Sequence, residues 1–321
     1  MGAKITDVAA LAGVSIATVS HVINGSRPVR KETADRVQRA IRELNYTPNS
    51  SARSLKTGNK RMIGFLVPDI SNLFFATMID SIEREIAKKG YHLMVVNTCE
   101  SGEKEQSVLQ SLCTGIVDGV IIASSVGDSQ ELSDYLPKNF PVVFVDRRLK
   151  NNCADLVETV SYRAIYESVE YLLQKGHEKI GCIFGLPHLS TTQNRYDAYF
   201  RAVSDHGLSP DKALVRNLSI ENSNPVPLCE ELIENGCTAL FFGNSRTCMQ
   251  SLCVLNHYPD RYEVVTFLDS PEYRELFRGM HVIEQPTGTM GAMAGEQILK
   301  RIAHPDAPTR EILLYSVFHE N

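Results

Sequence analysis

The stretch VSIATVSHVING, Val14 to Gly25, decides how the amino-terminal region folds. Every residue from Ser15 to Asn24 is β-branched or is Ala, Ser, His or Asn, a choice that gives up helix propensity. The spacing is nonetheless helical. Ser15 is a candidate N-cap, Asn24-Gly25 is a stop signal, and Val19, Val22 and Ile23 form one apolar face with Val14 just ahead of the cap. Upstream, a short helix runs from about Thr6, read as its N-cap, through Val8, Ala9 and Leu11 to Ala12, where Gly13 breaks it. Downstream, Ala34, Val37, Ile41 and Leu44 place a third helix over about Lys31 to Asn45. Two helices joined by the tight Ala12-Gly13-Val14-Ser15 turn, with a third packed across them, make a helix-turn-helix unit.

The short side chains then acquire a reason. A helix lying in the major groove of DNA needs little bulk where its backbone nears base edges, which makes Ser15, Ile16, Ala17, Thr18, Ser20, His21 and Asn24 candidate contacts. Ile16 and Ala17 can offer only apolar contact, as to thymine methyls, whereas Ser20, His21 and Asn24 can hydrogen-bond to bases or phosphates. Charge agrees: residues 1–61 hold 11 Lys and Arg against four Asp and Glu, although the whole chain carries −5. A basic head on an acidic body points to a polyanion met by the head alone. The competing reading, a structural three-helix unit with an ordinary exposed face, leaves that charge unexplained.

Beyond the head, composition sets the bounds. With 321 residues, 43% hydrophobic and 22% charged, the chain reads as an ordinary soluble protein with room for two or three domains. It has no apolar run of 18 residues and no basic-then-apolar leader, so neither membrane insertion nor export is expected. The eight cysteines include no CxxC pair and sit mostly in apolar runs, which suits buried free thiols in a reducing cytoplasm. The Cys248/Cys253 spacing suits no metal, and neither a metal nor a cofactor is expected. No GxSxG, Walker A, HExxH or GxGxxG motif is present, so no catalytic residue and no enzyme are expected.

From Arg61 the pattern alternates strand with helix. Apolar runs lie at 62–67, 91–97, 119–123, 142–146, 179–184, 239–243 and 263–268, with amphipathic stretches at 75–89, 103–112, 162–175 and 195–206, and ILLYSV as the last strand. Near-continuously apolar strands between helices imply an α/β core of parallel sheets covered on both faces, with ligands at the carboxyl ends of the strands. Between head and core, NSSARSLKTG (49–58) is too polar and too short to hold a helix alone. It reads either as a flexible linker or as a hinge that folds against DNA, with Leu55 as a minor-groove wedge and Arg53 and Lys56 near phosphates. Composition alone favours the linker.

The blocks DVAALAGVSIATVSHVING (7–25), AIRELNYTPNSSARSLKTG (40–58), IGFLVPDISNLFF (63–75), VDGVII (117–122), VVFVDR (142–147), KGHEKIG (175–181) and Gln285-Pro286 together resemble the LacI/GalR family of bacterial transcription regulators. The resemblance covers essentially the whole chain. It implies a helix-turn-helix DNA-binding domain over 1–47, a hinge over 48–60 and a periplasmic-binding-protein-like core over 61–321. The core would comprise an amino subdomain of about 61–157 plus 287–313 and a carboxyl subdomain of about 158–286 plus 314–321. It further implies a cytoplasmic repressor, associated with the nucleoid through a pseudo-palindromic double-stranded operator, acting as a homodimer with no membrane partner. A small-molecule effector, whether sugar, sugar phosphate or other metabolite, would bind between the subdomains.

Leu55 matches the family's intercalating leucine, so the hinge reading displaces the linker, with Ala52, Arg53 and Lys56 beside the wedge. Phe74, Phe75, Arg147, Arg195, Asn244, Asp269 and Gln285 match effector-binding positions, all following strand ends; the two arginines could hold a carboxylate or phosphate. Departures from the family pattern are His21 in place of a common Arg, Arg30 in place of a Ser cap, Asn244-Ser245 for Asn-Asp, and Leu268 before Asp269. The last two leave carboxylates that commonly hold sugar hydroxyls missing or displaced. A cytoplasmic or exported solute-binding protein would share the core but not the basic head. The absence of a heptad tail after ILLYSV favours a dimer over a tetramer.

Overall fold

The computed structural model describes residues 3–24, 27–46, 59–219, 223–258, 261–268 and 279–320. It divides into two compact units, Met1–Lys60 and Arg61–Asn321. The first holds α1 (Ile5–Ala12), α2 (Ile16–Asn24) and α3 (Lys31–Glu43). Val8, Ala9, Ala12, Val19, Val37 and Ala40 are its buried centre, with Val14, Val22, Ile23, Ile41 and Leu44 packed against them. Gly13 makes the turn in the left-handed region, at φ 62°, where a Cβ would be strained. Two readings are corrected. The first helix begins at Ile5, leaving Thr6 inside the first turn, and it is the Asp7 carboxylate that accepts from the Lys4 N–H at 2.8 Å. Leu11 is exposed, because Val8, Ala9 and Ala12 already fill the inward face.

The second unit runs, in chain order, through β1 (Met62–Val67), α4 (Leu73–Ala87), β2 (His92–Asn97), α5 (Gly102–Cys113), β3 (Gly119–Ile122), β4 (Val142–Val145), β5 (Asp155–Val160), α6 (Tyr162–Gln174) and β6 (Ile180–Phe184). It continues with α7 (Ser190–Asp205), β7 (Val215–Asn217), α8 (Val226–Glu234), β8 (Ala239–Phe242), α9 (Ser245–Leu255), β9 (Glu263–Leu268), β10 (Met280–Glu284), α10 (Thr287–Ala303), β11 (Glu311–Tyr315) and β12 (Val317–His319). One sheet has the order β11-β5-β4-β3-β1-β2 and the other β12-β10-β9-β8-β6-β7. Among the described residues, all strand pairings are parallel except β12 against β10.

The chain therefore passes between the two lobes three times, at 161, at 285–286 and at 316. ILLYSV is not one strand. Ser316 splits it, the Ser316 N–H donating to the Val160 carbonyl at 3.2 Å and the Ser161 and Ser316 hydroxyls meeting at 2.8 Å. Arriving from the other lobe, β12 enters its sheet from the carboxyl ends and so runs antiparallel.

Strand β5 escaped the sequence pattern because it opens on a charge. Asp155 is buried, and Arg301 binds it at 2.8 and 2.9 Å while the Arg310 N–H adds a third bond at 2.8 Å. Burial pushes the Asp155 carboxyl up, but these donors outweigh it and hold it below the usual carboxylate range. Helices α4 and α10 pack unusually close: a Cβ on Gly291 would stand 2.7 Å from the Met78 carbonyl oxygen and 2.8 Å from the Ser81 Cβ. Among the described residues, no single helix is long and apolar enough to cross a membrane.

Candidate functional site

In the head, the Ser15 hydroxyl accepts from the Thr18 N–H at 3.1 Å and meets the Thr18 hydroxyl at 2.9 Å, so Ser15 caps α2 and Thr18 partly serves the cap. Val19 is fully buried while Ile16 and Ala17 are exposed, and Ser20 and His21, one turn on, are half-buried. Ile16 is 48% exposed, as is Leu11 in the same unit. Arg30 stands at the N-cap of α3 with no side-chain hydrogen bond, a bare cap as its residue type requires. The Asn24 side chain and Ala52, Arg53, Leu55 and Lys56 lie outside the described residues.

In the core, a cavity of about 340 Å³ opens between the carboxyl ends of the two sheets. Phe74, Phe75, Arg147, Arg195, Asn244 and Gln285 all line it; Asp269 lies outside the described residues. Phe74 and Phe75 open α4, whose cap is Asn72, its Oδ1 accepting from the Phe74 N–H at 3.2 Å. Their rings meet edge to face at 5.1 Å and are largely buried, so they serve core and cavity at once. Asn244 caps α9, its Oδ1 taking the Thr247 N–H at 2.8 Å and hydroxyl at 2.9 Å. Gln285 sits on the second crossing between lobes.

The arginines are not arranged as the sequence suggested. Glu100 takes both terminal nitrogens of Arg147, at 2.7 and 2.6 Å, and Nη1 also donates to the Ser124 carbonyl at 2.8 Å. Behind them the buried Glu105 accepts from the Ser124 hydroxyl at 2.5 Å and the Ser125 N–H at 2.6 Å. Asp146 stands 3.8 Å from the Arg147 Nε. Burial works against the Arg147 charge, but Glu100 outweighs it and the pKa is raised. Burial likewise pushes the Asp146 carboxyl up, against Arg147 and Arg195. The fork expected to offer itself to an anionic ligand is thus closed by a residue of the same lobe. Arg195 lies with its guanidinium 4.2 Å over the Phe267 ring and Nη1 2.5 Å from the Gly243 carbonyl.

Contacts that join the lobes at this level, among the described residues, include the Arg246–Asp69 ion pair, the Arg148 N–H to the Ser190 hydroxyl at 2.9 Å, and His188 Nε2 to the Ser125 carbonyl at 3.2 Å. Sequence reasoning missed Glu100, Asp146, Asp69 and Arg246, although Glu100 and Asp146 each follow a strand end and Asp146 lies within the quoted VVFVDR. Asp69, Glu100 and Asp146, all of the amino lobe, place carboxylates on the cavity wall. Aromatic faces, acceptor carboxylates and amides converging on a small volume can hold a compact, uncharged, hydroxyl-rich molecule.

Residues 4–49 match the family model described as bacterial regulatory proteins, lacI family, and residues 60–268 the model described as periplasmic binding proteins and sugar binding domain of the LacI family. The HTH-type transcriptional repressor PurR of Vibrio atlanticus is 33% identical over 317 residues, covering 96% of this chain and 94% of that one. The ribose operon repressor of Haemophilus influenzae is 32% identical over 329 residues, covering 97% and 96%. A crystal structure of a putative ribose operon repressor from Burkholderia thailandensis superposes with a TM-score of 0.73 at 28% identity, covering 81% of this chain and 99% of that one.

Proposed function

The chain belongs to the LacI family of bacterial regulatory proteins, and from that we infer that it is a DNA-binding transcriptional repressor whose operator affinity answers to a small effector in the core cavity. One observation carries this reading: a single chain holds both a basic head with an outward, short-chained helix and a two-lobed core with a ligand-sized cavity. Ser15, Ile16, Ala17, Thr18, Ser20, His21 and Asn24 contact the operator in the major groove, while Leu55, flanked by Ala52, Arg53 and Lys56, wedges the minor groove. The protein acts in the cytoplasm, on the nucleoid, as a homodimer on a two-fold pseudo-palindromic site.

The effector is an uncharged polyhydroxylated molecule of sugar type, held by Phe74, Phe75, Arg147, Arg195, Asn244, Asp269 and Gln285. The aromatic and amide lining supports this, as does a relative named ribose operon repressor. Three crossing segments let one lobe turn on the other, and a ligand touching both lobes biases that motion by its differential affinity for the two arrangements. The test is selection of sites from a random duplex library, followed by operator titration with and without individual sugars. A symmetric site, and one sugar that shifts operator affinity by about fivefold or more, are expected. Binding without sequence preference, or indifference to every ligand that occupies the cavity, would overturn the reading.

A further inference from the structure

Glu100 holds the Arg147 guanidinium where an anionic group of a ligand would otherwise be taken, and we propose that it is the residue by which this cavity rejects anionic effectors and admits uncharged ones. The proposal rests on the effector-site reading above. Arg147 is only 6% exposed, and both its terminal nitrogens are committed to Glu100 in a two-point fork. Glu100 is placed there by its backbone. Cys99 and Glu100 both adopt the left-handed region, φ 57° and 56°, which L residues disfavour. The Cys99 N–H donates to the Asn97 side chain at 3.1 Å and the Glu100 N–H to the Pro68 carbonyl at 3.1 Å. The next residue, Ser101, caps α5 through the Lys104 N–H at 3.2 Å. The carboxylate is therefore delivered from the end of β2 to the end of β4, rather than swinging on a free loop.

A phosphate or carboxylate arriving at Arg147 would have to displace Glu100 and would then meet Asp146, with the buried Glu105 behind Ser124 and Ser125. Of the other cations on the wall, Arg246 is held by Asp69, and Arg195 lies over the Phe267 ring with Nη1 on the Gly243 carbonyl. A hydroxyl instead donates to spare lone pairs on the Glu100 or Asp146 oxygens and leaves the ion pair intact. Discrimination by unpaired like charge is a general device for rejecting the wrong ligand.

The experiment measures binding of neutral pentoses and hexoses, their phosphate monoesters and inorganic phosphate to the full-length wild type and to Glu100→Gln, by calorimetry and thermal shift. In the wild type a sugar should bind, its phosphate ester should bind about a hundredfold more weakly, and inorganic phosphate should leave the melting temperature of the core unchanged. In E100Q the ester should gain about tenfold, and inorganic phosphate should stabilise the core. Both proteins carry the same basic head, so a difference between them reports on the cavity. An ester bound by the wild type as tightly as its parent sugar would overturn the proposal without needing the variant, as would unchanged ester and phosphate binding in folded E100Q. If no sugar of either kind binds, the effector reading fails, while inorganic phosphate against the two proteins still decides the role of Glu100.

Discussion

Ala17 is the smallest side chain on the outward face of α2, and Val19 two residues later is fully buried, so about half a turn of helix separates the face proposed to read DNA from the face that packs. Replacing Ala17 with Phe should leave the head folded, since surface changes away from special features stay within about 0.5 kcal/mol, yet should lower operator affinity by about tenfold or more. Unchanged affinity in an anisotropy titration would remove α2 from the interface. A second residue-scale prediction concerns His281, buried at the far end of the carboxyl lobe against Tyr171 and Phe318. It faces Glu263 at 3.2 Å, which Lys175 also binds at 2.7 Å and His177 approaches at 3.8 Å. Burial holds the imidazole below its ordinary 6.5 although Glu263 pulls it up. A histidine depressed in the folded state contributes stability that is whole above the unfolded value and is lost as pH falls through the folded one. Melting temperature should therefore decline from about pH 6.5 downward, and His281→Gln should flatten that decline. A wild-type profile that is level between neutral pH and pH 5 would contradict it.

Elements show how far local pattern reaches. The Ser15 cap of α2 and the helical spacing of the head were legible because each depends on residues within one or two turns. Strand runs such as MIGFLV were legible because burial on both faces leaves no polar position to alternate. Strand β5 was not, since its buried Asp155 is acceptable only with Arg301, which lies 146 residues away. Close approach of α4 and α10 is likewise a property of the pair. Gly291→Ala should destabilise the core by about 1–3 kcal/mol, because the added methyl meets the rigid Met78 backbone rather than a movable side chain. Urea denaturation measures this, and an unaltered midpoint would mean that the helices separate more easily than their contacts imply.

For the whole molecule, the partition of charge is the dominant fact. The head is basic within a chain of net charge −5, so attraction to DNA comes from about sixty residues while the remainder repels it. Operator affinity should fall steeply and log-linearly with salt, by about 0.9 decades per decade of salt for each phosphate neutralised. A flat dependence would imply that recognition owes nothing to the basic head.

What the sequence determined by itself was local or additive: helix spacing, the Ser15 cap, apolar strand runs, the charge of the head, and six of the positions that follow strand ends and so gather at the cavity. What only the tertiary structure decided was which polar groups meet. Glu100 reaches Arg147 across 47 residues, Asp69 reaches Arg246 across 177, and ILLYSV divides between two sheets because Ser316 is tied to Val160. Periodicity records which face of an element is apolar. The pairing of buried charges depends on where separate strand ends converge, and that convergence exists only once both sheets have formed.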